Sequence, residues 1–166
     1  MRLTLERLSK QFKNRIAVEN VNAELTEGIY GFLGANGAGK TTLMQMICGI
    51  VAPTSGEVKL NGKNVTEMGE QFRDLLGYLP QEFGYTPGFT AEDFMLYIAS
   101  VKGLDPRYAR RRTRELMKLV SLEGDMKRKI RTFSGGMKRR LGIAQALLDD
   151  PKILIMDEPT AGLDPK

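Results

Sequence analysis

A chain of 166 residues with 42% hydrophobic content is long enough for one domain with its own core. It has no histidine and a single cysteine, Cys48, which excludes an internal disulfide, a Ser-His-Asp triad, a Cys-His pair and a zinc site built on histidines or a cysteine cluster. The net charge of +5 is unevenly spread, because Lys102 to Arg140 holds 14 lysines and arginines against 4 acids while the remainder is mildly acidic. A basic lobe of that kind suits nucleic acid, anionic lipid, an acidic protein, or simply a solvated helical face.

Leu3, Leu5 and Arg7 alternate with Thr4, Glu6 and Leu8, and Val18 to Leu25 keeps a similar two-residue rhythm, so the chain opens with strands. Ile29 to Leu33 is a short apolar run of the kind that forms a buried parallel strand. A Gly-rich loop follows, then an apolar helix from about Lys40 to Cys48. Glu57 to Leu60 reads as a strand ending in the Asn61-Gly62 turn, and Leu76 to Pro80 as another. The longest charge-free stretch, Thr41 to Gly56, is too short to span a membrane, and the N-terminus lacks a signal-peptide core. A cytoplasmic location is the expectation.

Beyond Gln81 the period changes. Thr90 with Asp93 three residues on predicts a capped helix start, with Phe94, Ile98 and Val101 at helical spacing before Gly103. Asp105-Pro106 opens a second helix towards Val120. Ser134 opens a third, with Met137, Leu141, Ala144 and Leu148 on one face, and Pro151 ends it. Ile153 to Met156 is then a final buried strand. The reading is α/β, with a helical insertion between two parts of the core.

Gly34-Ala35-Asn36-Gly37-Ala38-Gly39-Lys40-Thr41 fits G-x-x-x-x-G-K-[ST] between a predicted strand and a predicted helix. Glycines let successive backbone N–H groups turn inward around a phosphate chain, and the helix that follows adds its positive end. Lys40 can neutralise β/γ-phosphate oxygens, the Thr41 hydroxyl suits Mg²⁺, and Thr42 can reach the α-phosphate. Asp157-Glu158 emerges at the carboxyl end of the last strand, the edge where ligands sit in open α/β sheets. There Asp157 would hold Mg²⁺ through water, and Glu158 would polarise the water attacking the γ-phosphate. Cys48 reads as core.

Ser134-Gly135-Gly136-Met137-Lys138-Arg139-Arg140, followed by Asp157-Glu158-Pro159-Thr160-Ala161-Gly162-Leu163-Asp164, resembles the ATP-binding cassette family, in order and spacing with the phosphate loop. The resemblance implies a P-loop NTPase core with an N-terminal antiparallel β subdomain and an inserted α-helical subdomain. Residues 1–81 and 134–166 would be the nucleotide-binding core and residues 82–133 the helical subdomain. It also implies that Phe12 stacks on adenine, that Gln81 contacts Mg²⁺ and the attacking water, and that Ser134, Gly135 and Gly136 close over the γ-phosphate of a second protomer. Leu163-Asp164 would touch that protomer.

By the same resemblance the ligands are ATP and Mg²⁺, the partners a transmembrane permease and a second ATP-binding subunit, as homo- or heterodimer. The location would be cytoplasmic, peripheral on the inner face of the membrane. The Met-Lys-Arg ending is similar to an exporter-rich branch, which favours export. Two departures stand out: the signature begins with Phe133 rather than Leu, and the family's histidine, on a further strand beyond Leu163-Asp164, has no counterpart before Lys166. In related ATPases that strand lies between the phosphate-loop strand and the Asp-Glu strand, so the chain reads as a C-terminally incomplete cassette. An ATPase acting on nucleic acid or the ribosome, and a binding-only module, remain as alternatives; no specific nucleic acid is expected.

Overall fold

The computed structural model describes residues 1–82 and 84–159, which fall into two compact units meeting in sequence at Asp74 and Leu75. In the first unit, β1 (Leu3–Phe12) pairs antiparallel with β2 (Arg15–Leu25) and with β3 (Ser55–Leu60). β3 in turn pairs with the short β4 (Lys63–Asn64), giving the order β2-β1-β3-β4.

Strict alternation along β1 would send Arg7 inward with Leu3 and Leu5. The structure corrects that expectation. The register slips against both neighbours after Leu5 and Glu6, Arg7 takes a φ of 47°, and Leu8 returns to the core with no exposed surface. Burying Leu8 stabilises by about 1.5–3 kcal/mol, whereas an inward Arg7 would need a buried counter-charge. The Arg7 N–H, displaced from the ladder, donates to Asn22 Oδ1 at 2.8 Å.

The turn between β3 and β4 is Asn61-Gly62 with φ of 50° and 82°, the two positive values that a two-residue hairpin turn requires. α1 (Lys40–Ile47) buries Leu43, Met44, Met46 and Ile47, and Cys48 is buried at its C-terminal end. Asn64 caps the single-turn α2 (Val65–Met68) by accepting from the Thr66 N–H, and α3 (Glu70–Arg73) follows.

Ile29 to Leu33 is the second correction. These residues form no strand, and the side chains of Ile29 and Leu33 are 103% and 97% exposed. Apolar residues alone do not hold an extended segment; a strand needs ladder partners for its N–H and C=O groups. No strand among the described residues supplies them.

In the second unit β5 (Leu76–Leu79) and β6 (Ile153–Met156) run parallel, from Leu76 opposite Ile153 to Leu79 opposite Met156. β6 was expected to be buried, but it is half-buried with Leu154 exposed; burying a parallel strand takes cover on both faces. Among the described residues, three α-helices and two short 3₁₀ turns (Glu123–Asp125 and Ile130–Thr132) complete the unit: α4 (Ala91–Val101), α5 (Pro106–Leu119) and α6 (Gly135–Ala146).

Each start is a local hydrogen-bond solution to unpaired N–H groups. Thr90 and Asp93 form a reciprocal capping box, Asp105 accepts from the Arg107 and Tyr108 N–H groups ahead of Pro106, and Ser134 Oγ accepts from the Met137 N–H. The inner faces meet in one core that includes Phe94, Met95, Leu116, Met117, Ile130 and Leu141. On α5 the buried positions are Ala109, Thr113, Leu116 and Met117, which leaves Arg107, Arg110, Arg111, Arg114 and Lys118 in solvent. Among the described residues, no helix is long and apolar enough to cross a membrane.

Candidate functional site

The first unit holds the phosphate loop. Ala38 N–H donates to Ala35 O at 3.1 Å, which turns the loop, and Leu43 N–H donates to Gly39 O at 2.8 Å, which starts α1. Gly39 has a φ of 86°, and a Cβ on it would lie 2.0 Å from Ala17 O, so the loop rests directly on the backbone of β2. No acidic residue stands in the first turn of α1, so its positive end is not neutralised from within. Thr41 and Thr42 are half-buried in that turn.

Lys40 Nζ donates to Gly34 O at 2.7 Å and Ala35 O at 2.9 Å, which folds the ammonium back over the loop entrance. Asn36 and Gly37 are exposed at the loop tip. Arg15 was not singled out from sequence. It faces Phe12 across the hairpin, and its Nη2 donates to Gly37 O at 3.0 Å, so a side chain at the start of β2 reaches the phosphate loop. Phe12 itself is 47% exposed, with Lys10 Nζ 5.1 Å from its ring centre.

The second unit gathers the carboxylates and the signature segment. The β5–β6 pairing continues past the strands through Asp157 N–H to Leu79 O at 2.9 Å. That register carries Gln81 and Glu158 to the same edge, where Gln81 Nε2 donates to Glu158 Oε2 at 3.3 Å. Glu158 sits at a φ of 51°, a left-handed conformation unusual for a residue with a side chain. Asp157 is 1% exposed, and its Oδ2 is buried with no hydrogen-bond partner. A buried carboxylate oxygen without a donor fits a cation ligand. Among the described residues no group of three or more acids, cysteines or histidines comes together.

Ser134 and Gly135 are exposed at the start of α6, whose first turn also lacks acids. One turn further, Arg139 is 5% exposed. Its Nη1 donates to Pro80 O at 2.6 Å and Gln81 O at 3.2 Å, and its Nη2 donates to Asp157 O. Burial lowers the pKa of this guanidinium from its ordinary value, against the opposing pull of Asp157 and Glu158. In the sequence, Arg139 reads only as part of a basic ending. Thr160 to Gly162 and the expected partner-contact pair Leu163-Asp164 lie outside the described residues.

The sequence profile of the family described as ABC transporter matches residues 18–161. The chain belongs to that family. The ABC transporter ATP-binding protein YxlF of Bacillus subtilis is 42% identical over 98% of the chain and 54% of its own length. The bacitracin transport ATP-binding protein BcrA of Bacillus licheniformis is 39% identical, covering 95% of the chain and 51% of its own. The Nod factor export ATP-binding protein I of Burkholderia pseudomallei is 36% identical, at 99% and 54%. This ABC transporter chain therefore spans about half the length of the curated relatives it matches. Among solved structures, a dimeric bacterial ABC transporter cassette superposes with a TM-score of 0.88 at 30% identity, over 98% of the chain and 76% of the cassette. The α/β cassette fold expected from sequence is the fold of these neighbours.

Proposed function

We propose that the protein is the ATP-binding and ATP-hydrolysing subunit of a membrane transporter, working in the export direction. The observation that carries this reading is the phosphate loop. It combines a loop laid on β2, an acid-free helix start and a lysine at 2.7 Å and 2.9 Å from the Gly34 and Ala35 carbonyls. That lysine exchanges two carbonyls for phosphate oxygens, a stronger charge-assisted partner. Gly34 to Thr42 would cradle the phosphates, and Phe12 would stack on the adenine. In the second unit Asp157 would hold Mg²⁺ with Gln81; in the phosphate loop itself the Thr41 hydroxyl suits Mg²⁺. Bound Mg²⁺ neutralises charge on the phosphate oxygens.

Glu158 is the group that would accept hydrogen bonding from the attacking water and orient it, with Gln81 holding the carboxylate by its amide. Ser134, Gly135 and Gly136 would meet the γ-phosphate of a second subunit, as an exposed helix start can. The transporting and exporting relatives support a transmembrane permease partner, a peripheral place for this chain on the inner face of the membrane, and outward transport.

The test is ATP binding and phosphate release by the intact protein with Mg²⁺. Lys40→Ala should lose most nucleotide affinity. Glu158→Gln should retain ATP while turnover falls by about 10²-fold or more. Undiminished phosphate release from Glu158→Gln would overturn the assignment.

A further inference from the structure

We propose that Arg139 is a positioning residue for hydrolysis: by holding the carbonyls of Pro80, Gln81 and Asp157 at once, it fixes the backbone that carries Gln81 and Glu158 to the helix that Ser134 begins. The inference rests on the functional reading above. Two segments far apart in sequence, Pro80-Gln81 and Asp157, converge on one guanidinium. All three carbonyls lie just beyond the ends of β5 and β6, and among the described residues no backbone N–H donates to them, although the Asp157 N–H itself still pairs with Leu79 O. A planar fork with five donors can serve three acceptors in fixed directions; a lysine ammonium offers one compact point instead.

Two other arginines of the second unit show what ordinary service to carbonyls looks like. Arg112 donates to Leu147 O at 3.1 Å, and Arg140 donates to Val120 O at 3.0 Å and Ser121 O at 3.1 Å. Leu147 and Val120 are the C-caps of α6 and α5 and Ser121 follows Val120, so these bonds close helix ends. Arg139 closes no helix end. Its acceptors are Gln81 itself, the residue before it, and the residue before Glu158. Since Arg139 stands five residues after Ser134, only about 7.5 Å of helix separates the signature start from the clamp. A shift of α6 when Ser134 meets phosphate would reach Gln81 and Glu158 through this one side chain.

The experiment compares Arg139→Ala, Arg139→Lys and Arg112→Ala in the intact protein, measuring kcat, KM, affinity for a fluorescent ATP analogue, melting temperature and hydrogen exchange of the Asp157 amide. Arg139→Ala should lower kcat by about 10- to 100-fold, the cost of a lost charge-assisted bond, with nucleotide affinity nearly unchanged. Arg139→Lys should recover part of that loss and serves in its place if the alanine variant does not fold. Arg112→Ala should lower the melting temperature and leave kcat alone. Faster exchange at Asp157 is expected only in the Arg139 variants. An unchanged kcat, or a fall in kcat matched by Arg112→Ala at equal loss of stability, overturns the proposal. Should the wild-type protein bind but not hydrolyse ATP, the functional reading fails by itself, and unchanged Asp157 exchange in Arg139→Lys would still refute the clamp.

Discussion

Replacing Gly39 by alanine tests whether the phosphate loop is held against β2 by the lack of a side chain. Two costs act there. The residue has a φ of 86°, which an alanine meets at about 1–2 kcal/mol. The new Cβ would also stand 2.0 Å from Ala17 O, about 1 Å inside the 3.0 Å that real contacts respect. Relieving it means moving one backbone away from another, an overpacking cost of about 1–3 kcal/mol. Gly62 isolates the first cost, because its φ is 82° and nothing lies within 4 Å of the position a Cβ would take.

Gly62→Ala should therefore cost about 1–2 kcal/mol and Gly39→Ala about 2–5 kcal/mol. For a chain of this size that is a melting decrease of about 2–8 °C against about 4–20 °C. Calorimetry without nucleotide reads the difference. Titration with ATP should then show weakened binding in Gly39→Ala alone, because only there does the start of α1 move. Equal melting temperatures for the two variants would refute the reasoning, since the close approach to Ala17 would then carry no energy.

Two further outcomes follow from titratable groups. Burial pushes the Cys48 thiol up to about 12, so a maleimide at about pH 8 should label the unfolded chain readily and the native one hardly at all. Equal labelling rates would remove Cys48 from the core. The Thr90 hydroxyl and backbone N–H donate to the Asp93 carboxylate and hold its pKa below the usual value. With the folded pKa depressed, the unfolded chain takes up the proton first as pH falls. The box's stabilisation is thus complete above the unfolded pKa of about 3.9 and fades below it. Thr90→Ala should cost about 1 kcal/mol at neutral pH, and the gap to wild type should narrow in acid. A gap that widens in acid contradicts that linkage.

What could be read in the sequence was whatever chemistry is local. Thr90 with Asp93, Asp105 with Pro106, and Ser134 announce helix starts because a cap is completed within three residues. The phosphate loop is legible for the same reason, since its glycines, lysine and threonine answer one ligand from one short segment. Ile29 to Leu33 misleads because an apolar run says what a strand would bury and nothing about who would pair with it. Arg7 misleads because a bulge is negotiated between three strands. Arg139 is illegible in sequence for a related reason: its three acceptors are 58, 59 and 18 residues away, and a basic letter in a basic stretch carries no trace of them.

The bulge at Arg7 also separates two quantities that a strand normally ties together, how long it is and which way its residues point. β1 carries one more residue than its inward face uses, and Asn22 takes up the spare N–H. Deleting Arg7 would leave Leu5 and Leu8 two positions apart, in phase, with Leu3, Leu5 and Leu8 still inward. Deleting Thr4, equally small a change in length, would turn Leu3 to the opposite face from Leu5 and Leu8. The first strand of the fold can thus lose a residue at one place without loss of sense, much as a sentence can lose a parenthesis, and at its neighbour three positions earlier it cannot.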